Sequence, residues 1–288
     1  MTSQPESEWD WPGGAASDQG FGAPGAVSAG SRRQARVTGR GCRGGLRTLA
    51  FSLVLAIGLA GLAAAAVGIA HRLLPRQFTP AQQRQIIDWE MARRWRTLPA
   101  GAIFPTAVPY TVPAAAFHGP AGLTLQAQRL SIGSPESCSA ALTAAAASVL
   151  DRSGCSTVLR ATYLDASGSM VATVVVAVLP AGTATGKVVP ALRRAATAGD
   201  RLVDTFPVAG TGAEGFTDSE RQLSYVSAAG PYVFLSTAGF TDDRGGVVSA
   251  DPYVRAEMTG LASGLVGAAQ QVLGKQPSRP VCPGAPGC

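Results

Sequence analysis

The sequence predicts an α+β domain, an antiparallel sheet with helices on one face, preceded by one transmembrane helix. Three observations predict it. The run from Leu49 to Ala70 is apolar and uncharged, and about 33 Å of helix at 1.5 Å per residue suffices for a bilayer core. Beyond residue 122, stretches of period-two alternation are interspersed with stretches of helical periodicity. Their order is strand, helix, strand, strand, helix, strand, which is a split βαβ or ferredoxin-like order, with a hairpin and a C-terminal helix added.

Residues 1–46 are rich in Gly, Ser, Ala, Pro and Gln and lack apolar periodicity, so they read as a disordered cytoplasmic tail. Within them Glu8-Trp9-Asp10-Trp11 interleaves aromatics with acids, which reads as a chance pair of Trp in a tail or as a short docking motif for a cytoplasmic partner. Residues 47–72 hold the membrane helix. Arg32, Arg33, Arg36, Arg40, Arg43 and Arg47 precede it, against Arg72, Arg76 and Arg84 after it, which places the N-terminus inside. Gly61 and Ala65 form a small pair at helix-packing spacing, which Ala-rich composition also explains. A cleaved signal peptide fits less well, because the segment before the apolar run is long. Ser31-Arg32-Arg33 resembles the start of a twin-arginine signal but lies roughly fifteen residues from the apolar run.

Residues 79–97 read as a membrane-proximal helix. Thr79 caps it, Pro80 takes its first position and Gln82 completes a capping box. Trp89 and Trp95 beside arginines suit either the headgroup layer or a stalk packed on the domain. Residues 98–122 read as a Pro-rich connector, and residues 123–274 as the exported domain. In that domain Leu123 to Ile132 is a strand, Cys138 to Leu150 a helix, and Thr157 to Tyr163 and Met170 to Leu179 are strands joined by Asp165-Ala166-Ser167-Gly168. Val188 to Ala198 is a helix and Leu202 to Val208 a strand. Gln222 to Ala228 and Tyr232 to Ala238 form a hairpin turned at Ala229-Gly230-Pro231, and Pro252 to Leu273 is a closing helix. Residues 275–288 are a Pro- and Gly-rich tail.

Five cysteines mark the compartment. Cys42 falls on the cytoplasmic side of the apolar run, and Cys138, Cys155, Cys282 and Cys288 fall beyond it. An even number outside is the arithmetic of two exported disulfides. Three pairings are possible; in the favoured one Cys138–Cys155 ties the start of a helix to the turn after it, closing a loop worth on the order of 3 kcal/mol, and Cys282–Cys288 ties a small C-terminal loop.

The net charge of +6 is unevenly placed. Residues 97–288 carry twelve basic and twelve acidic groups, so the excess flanks the apolar run, where it suits anionic lipid headgroups. A nucleic-acid interface needs clustered cations, and none is present in the domain. The absence of Asn and the presence of Lys only at 187 and 275 indicate the coding bias of a GC-rich genome.

Chemistry is sparse. Gly210, Gly212 and Gly215 make a GxGxxG match, but no apolar helical face follows, so it reads as a loop. His118 is the one histidine beyond residue 97 and sits in the connector, which leaves no partner set for a Ser-His-Asp site. No CxxC pair or other metal spacing occurs, and no metal or cofactor is expected. Asp218 with Glu220 and Asp242 with Asp243 are close acids of the kind glycoside hydrolysis uses, although turns attract Asp for backbone reasons.

Two stretches, Met91-Ala92-Arg93-Arg94-Trp95-Arg96 leading into Leu98-Pro99-Ala100-Gly101, and the Cys138 to Pro180 block with sixteen residues between its cysteines, resemble single-pass envelope proteins of streptomycete-like actinobacteria. The resemblance covers residues 79–180 and implies location and general architecture, with no functional residue carried over. The sequence thus points to a non-enzymatic, membrane-anchored envelope protein whose exported domain binds a ligand or a protein partner. The alternatives are a cell-wall hydrolase using Asp or Glu, and an extracytoplasmic sensor acting through a cytoplasmic partner.

Overall fold

The computed structural model describes residues 52–66, 78–116, 122–197, 201–242, 244 and 251–277. Expectations for Trp9, Trp11, Cys42, His118, Asp243, Cys282 and Cys288 lie outside the described residues. Residues 52–66 form helix α1, in a unit separate from the α+β domain. The large apolar side chains of α1, including Leu53, Val54, Leu59 and Leu62, are at least 60 % exposed. Among the described residues no helix is long and apolar enough to cross a membrane, and the apolar run extends beyond them at both ends.

The domain is a six-stranded, wholly antiparallel sheet. Its strands are β1 (Ala107–Val112), β2 (Leu123–Ile132), β3 (Thr157–Asp165), β4 (Met170–Val178), β5 (Arg221–Ala229) and β6 (Tyr232–Phe240), in the order β1-β2-β3-β4-β6-β5. The helices are α2 (Pro80–Thr97), α3 (Ala100–Ile103), α4 (Cys138–Ala141), α5 (Ala144–Asp151), α6 (Thr185–Thr197) and α7 (Pro252–Leu273). A split βαβ unit keeps its first two strands parallel with another strand inserted between them, whereas here β2 and β3 are direct antiparallel neighbours. The segment expected to supply its fourth strand, Leu202 to Val208, forms a single isolated bridge, Val203 with Leu142, and joins no strand of the sheet. β6 takes the place beside β4 instead.

Two further expectations are corrected. The stretch read as a Pro-rich connector contains α3 and the edge strand β1. Pro109 is compatible with an edge, where a missing N–H need not break a ladder. Val108, Tyr110 and Val112 point inward from it. Helices also cover both faces of the sheet. α7 packs on β1, β4, β5 and β6, so the sheet curls around it. This inner core includes Tyr163, Val174, Val176, Phe234, Leu261 and Leu265. On the outer face α4, α5 and α6 bury Leu142, Leu150 and Leu192 against Val175, Val233 and Leu235. With two covers, all nine positions of β4 and all nine of β6 are buried.

The expected helix from Cys138 to Leu150 is broken in two. Leu142 leaves the helical path to pair with Val203, and Thr143 then caps α5 by accepting from the Ala146 amide. Cys138 and Cys155 form the expected disulfide, with Cα atoms 6.3 Å apart, and clasp this layer to the start of β3.

α2 carries the expected capping box and belongs to the domain. It buries Ile86, Met91 and Trp95. The Tyr232 hydroxyl donates to the Met91 carbonyl and accepts from the Trp95 amide at 3.3 Å. Gly230, at φ +55°, makes the β5–β6 turn directly beneath Met91, where a Cβ would stand 2.5 Å from its terminal methyl. Arg94 donates to the terminal carbonyls of α7 at Val272 (3.5 Å) and Leu273 (3.4 Å), and to Lys275 beyond them, satisfying groups that a helix end leaves open. Of the two readings for the tryptophans, Trp95 follows the packed one.

Candidate functional site

The strand β1 and the helix α7 meet at unusually short range, and a groove opens beside their contact. α7 begins with Asp251, whose carboxylate accepts from the Tyr253 and Val254 amides, followed by Pro252 at the first helical position. Gly260 and Gly264 then present a flat stripe to β1. A Cβ on Gly260 would lie 2.6 Å from the Thr111 carbonyl oxygen, and one on Gly264 would lie 2.7 Å from the Tyr110 Cβ. Only glycine permits that approach.

The groove has a volume of about 470 Å³. Thr111 and Pro113 form its strand-side wall. Successive turns of α7 form the other, with Pro252, Ala256 and Gly260 supplying apolar surface and Arg255, Thr259 and Ser263 supplying polar groups. The Thr259 hydroxyl donates to the Arg255 carbonyl at 2.7 Å and the Ser263 hydroxyl to the Gly260 carbonyl at 3.3 Å. Each hydroxyl oxygen keeps acceptor capacity for a ligand donor. Mostly apolar walls with a few placed polar groups are the usual make-up of a binding cleft.

Asp218, Glu220 and Asp242 lie elsewhere and each is committed locally. Asp218 accepts from the Thr205 amide and hydroxyl, both at 3.1 Å, and lies 3.3 Å from Arg221. Arg221 is a buried cation that also donates to the Val203 carbonyl and lies 3.5 Å from Asp204, so it clamps residues 203–205 to the start of β5. Burial, with Asp218 second, pushes the Asp204 carboxyl up. Glu220 turns back on its own turn. It accepts from the Ser219 hydroxyl at 2.6 Å, the Thr217 hydroxyl, and the Thr217 amide at 2.7 Å. The Ser219 and then the Thr217 hydrogen bonds hold its carboxyl down at about 2. Asp242 is exposed and bonded to Arg244 at 2.6 Å, which lowers its carboxyl. None of Asp218, Glu220 and Asp242 lines the groove.

The glycines of GTGAEG form a tight turn. Gly210 has φ +73° and donates to the Glu214 carboxylate at 2.9 Å, while Ala213 and Phe216 pack on Val171. A turn and then β5 follow, with no helix to receive a phosphate. Among the described residues no group of three or more His, Cys, Asp or Glu could hold a metal ion.

The residues of the groove were not singled out from the sequence. The available signal was Gly260-Leu261-Ala262-Ser263-Gly264, a four-residue glycine spacing that marks a close approach to one helix face. No protein-family model, curated protein or solved structure matches the chain.

Proposed function

We propose that the protein is a single-pass, membrane-anchored envelope protein whose α+β domain lies outside the cytoplasm and binds an extended segment of a partner protein in the groove between β1 and α7. The groove carries this reading: it is shaped, mostly apolar, and edged by hydroxyls and one arginine. The Cys138–Cys155 disulfide supports an oxidising compartment. The uncharged run from Leu49 to Ala70 and its flanking arginines support the anchor and its orientation. The domain requires no cofactor or nucleic acid in this role.

The test is crosslinking in intact cells followed by capture of the tagged full-length chain, beside a variant lacking residues 1–46 and a Thr259→Trp variant that fills the groove. The expected result is one partner that survives loss of the tail and disappears with Thr259→Trp. A partner that disappears with the tail and survives Thr259→Trp contradicts the assignment to the groove.

A further inference from the structure

Behind the groove three polar groups share one region: Tyr110 of β1 and Asp165 of β3 flank β2, whose Ala127 pairs with both Val108 and Asp165, and Glu257 lies on α7 one turn before the Gly260 that packs on Tyr110. Tyr110 is 3 % exposed and its hydroxyl has no hydrogen-bond partner among the described residues. A buried hydroxyl left unmatched is destabilising, so its setting calls for a reason. The ring runs along α7. A Cβ on Gly264 would meet the Tyr110 Cβ, while one on Gly260 would lie 3.4 Å from its Cδ2. The hydroxyl therefore points toward the N-terminal turns of α7, where Glu257 and Tyr253 follow on the same stripe.

Asp165, at the end of β3, supplies the second group. It is 5 % exposed and is fixed by three donors: the Met170 amide at 2.7 Å, the Ser167 amide at 3.0 Å, and the Ser167 hydroxyl. These bonds fix the carboxyl group at the mouth of the β3–β4 hairpin. Glu257 is the third group. It is half-buried, and no ion pair or hydrogen bond holds its carboxyl among the described residues. Burial first, and the Asp165 charge second, push that carboxyl above its ordinary range. The same two carboxylates and Tyr253 add to burial in pushing the Tyr110 hydroxyl up. Of the basic groups nearby, Arg129 of β2 donates to the Phe104 carbonyl and acts on Tyr163, and Arg255 lies along the groove.

We propose that Glu257, Asp165 and Tyr110 form a proton-operated latch that holds the N-terminal half of α7 on the sheet in acid and loosens it toward neutral pH. A neutral Glu257 carboxyl has an O–H to donate, and the unmatched Tyr110 oxygen can accept it. An ionised Glu257 has only acceptors, and stands half-buried where the Asp165 charge repels it. The sign follows directly. The folded protein holds this proton more tightly than the unfolded chain, whose ordinary value is 4.5. Relative stability is thus gained as pH falls through the raised folded value and lost as pH climbs above 4.5. The latch acts on the turns of α7 that wall the groove, yet its operation is read without any ligand and stands apart from the binding assignment.

The test uses the full-length protein in detergent, with melting temperature followed from pH 4 to pH 8. Wild type and Glu257→Gln are expected to coincide at pH 4 and to diverge by several degrees by pH 7, with wild type the lower. Tyr110→Phe is expected to move the onset of the wild-type decline to lower pH. Hydrogen exchange on the wild type, corrected for intrinsic rates, is expected to show residues 252–260 better protected at pH 5 than at pH 7. Parallel curves for wild type and Glu257→Gln, an onset unmoved by Tyr110→Phe, or equal protection at the two pH values would overturn the latch. The exchange measurement decides alone if a variant fails to fold.

Discussion

At the residue scale, small numbers of atoms decide where this chain can close on itself. Gly260 and Gly267 lie on the same helix in opposite situations. A Cβ at 260 meets the Thr111 carbonyl, and a Cβ at 267 meets nothing within 4 Å. Gly260→Ala is therefore expected to destabilise by about 1–3 kcal/mol through overpacking. Gly267→Ala is expected to stabilise by up to about 1 kcal/mol through helix propensity. Denaturant midpoints for the pair check both signs. Glu220 gives a pH prediction of opposite sign to that of Glu257. Its folded carboxyl sits at about 2 against an ordinary 4.5, so the stability it contributes is complete above 4.5 and is lost as pH falls toward 2. Glu220→Gln is expected to cost on the order of 1–2 kcal/mol at pH 7. That deficit should narrow steadily below pH 4.5, as measured by denaturation at several pH values.

At the element scale, the domain is fastened at the two ends of its helical cover. The disulfide holds α4 to the start of β3 across a seventeen-residue separation. The double variant Cys138→Ser, Cys155→Ser is expected to lose about 3 kcal/mol of stability with the same secondary structure by circular dichroism. Tyr232 holds α2 to the sheet through the Met91 carbonyl and the Trp95 amide. Tyr232→Phe leaves both groups without that partner and is expected to cost about 1–3 kcal/mol. It should also raise proteolytic cleavage within residues 80–97, which limited digestion would reveal. Elements whose signals are local were legible in the sequence. The Thr79 box, the Gly168 and Gly230 turns, the β5–β6 hairpin and the bounds of α7 all follow from residues within a few positions. β1 was not, because Pro109 within it, Pro113 directly after it and its short length outweigh the inward alternation of Val108, Tyr110 and Val112. Nor was the break at Leu142, which depends on Val203, distant in sequence.

At the scale of the whole molecule, the α+β class and the antiparallel sheet follow from segment order, while the topology does not. A strand, helix, strand order allows a parallel crossover or a return to an antiparallel neighbour, and only long-range packing decides between them. The sequence did contain a warning against a one-faced sheet. Met170 to Val178 reads MVATVVVAV, with no polar alternation, which is the pattern of a strand covered on both sides. The groove was illegible for a related reason: Thr111 and Thr259 are unremarkable alone and gain meaning when Gly260 brings α7 onto β1. The proposed function makes this groove the contact surface of an exported domain. Its most direct measurement is photocrosslinking in intact cells from a benzoylphenylalanine placed at Ala256 in the groove, with a second chain carrying it at Arg152, an exposed position at the end of α5. The account predicts one discrete adduct from position 256, formed outside the cytoplasm and absent from position 152. The same adduct from both positions, or none from position 256 with the protein present in the membrane, would contradict it.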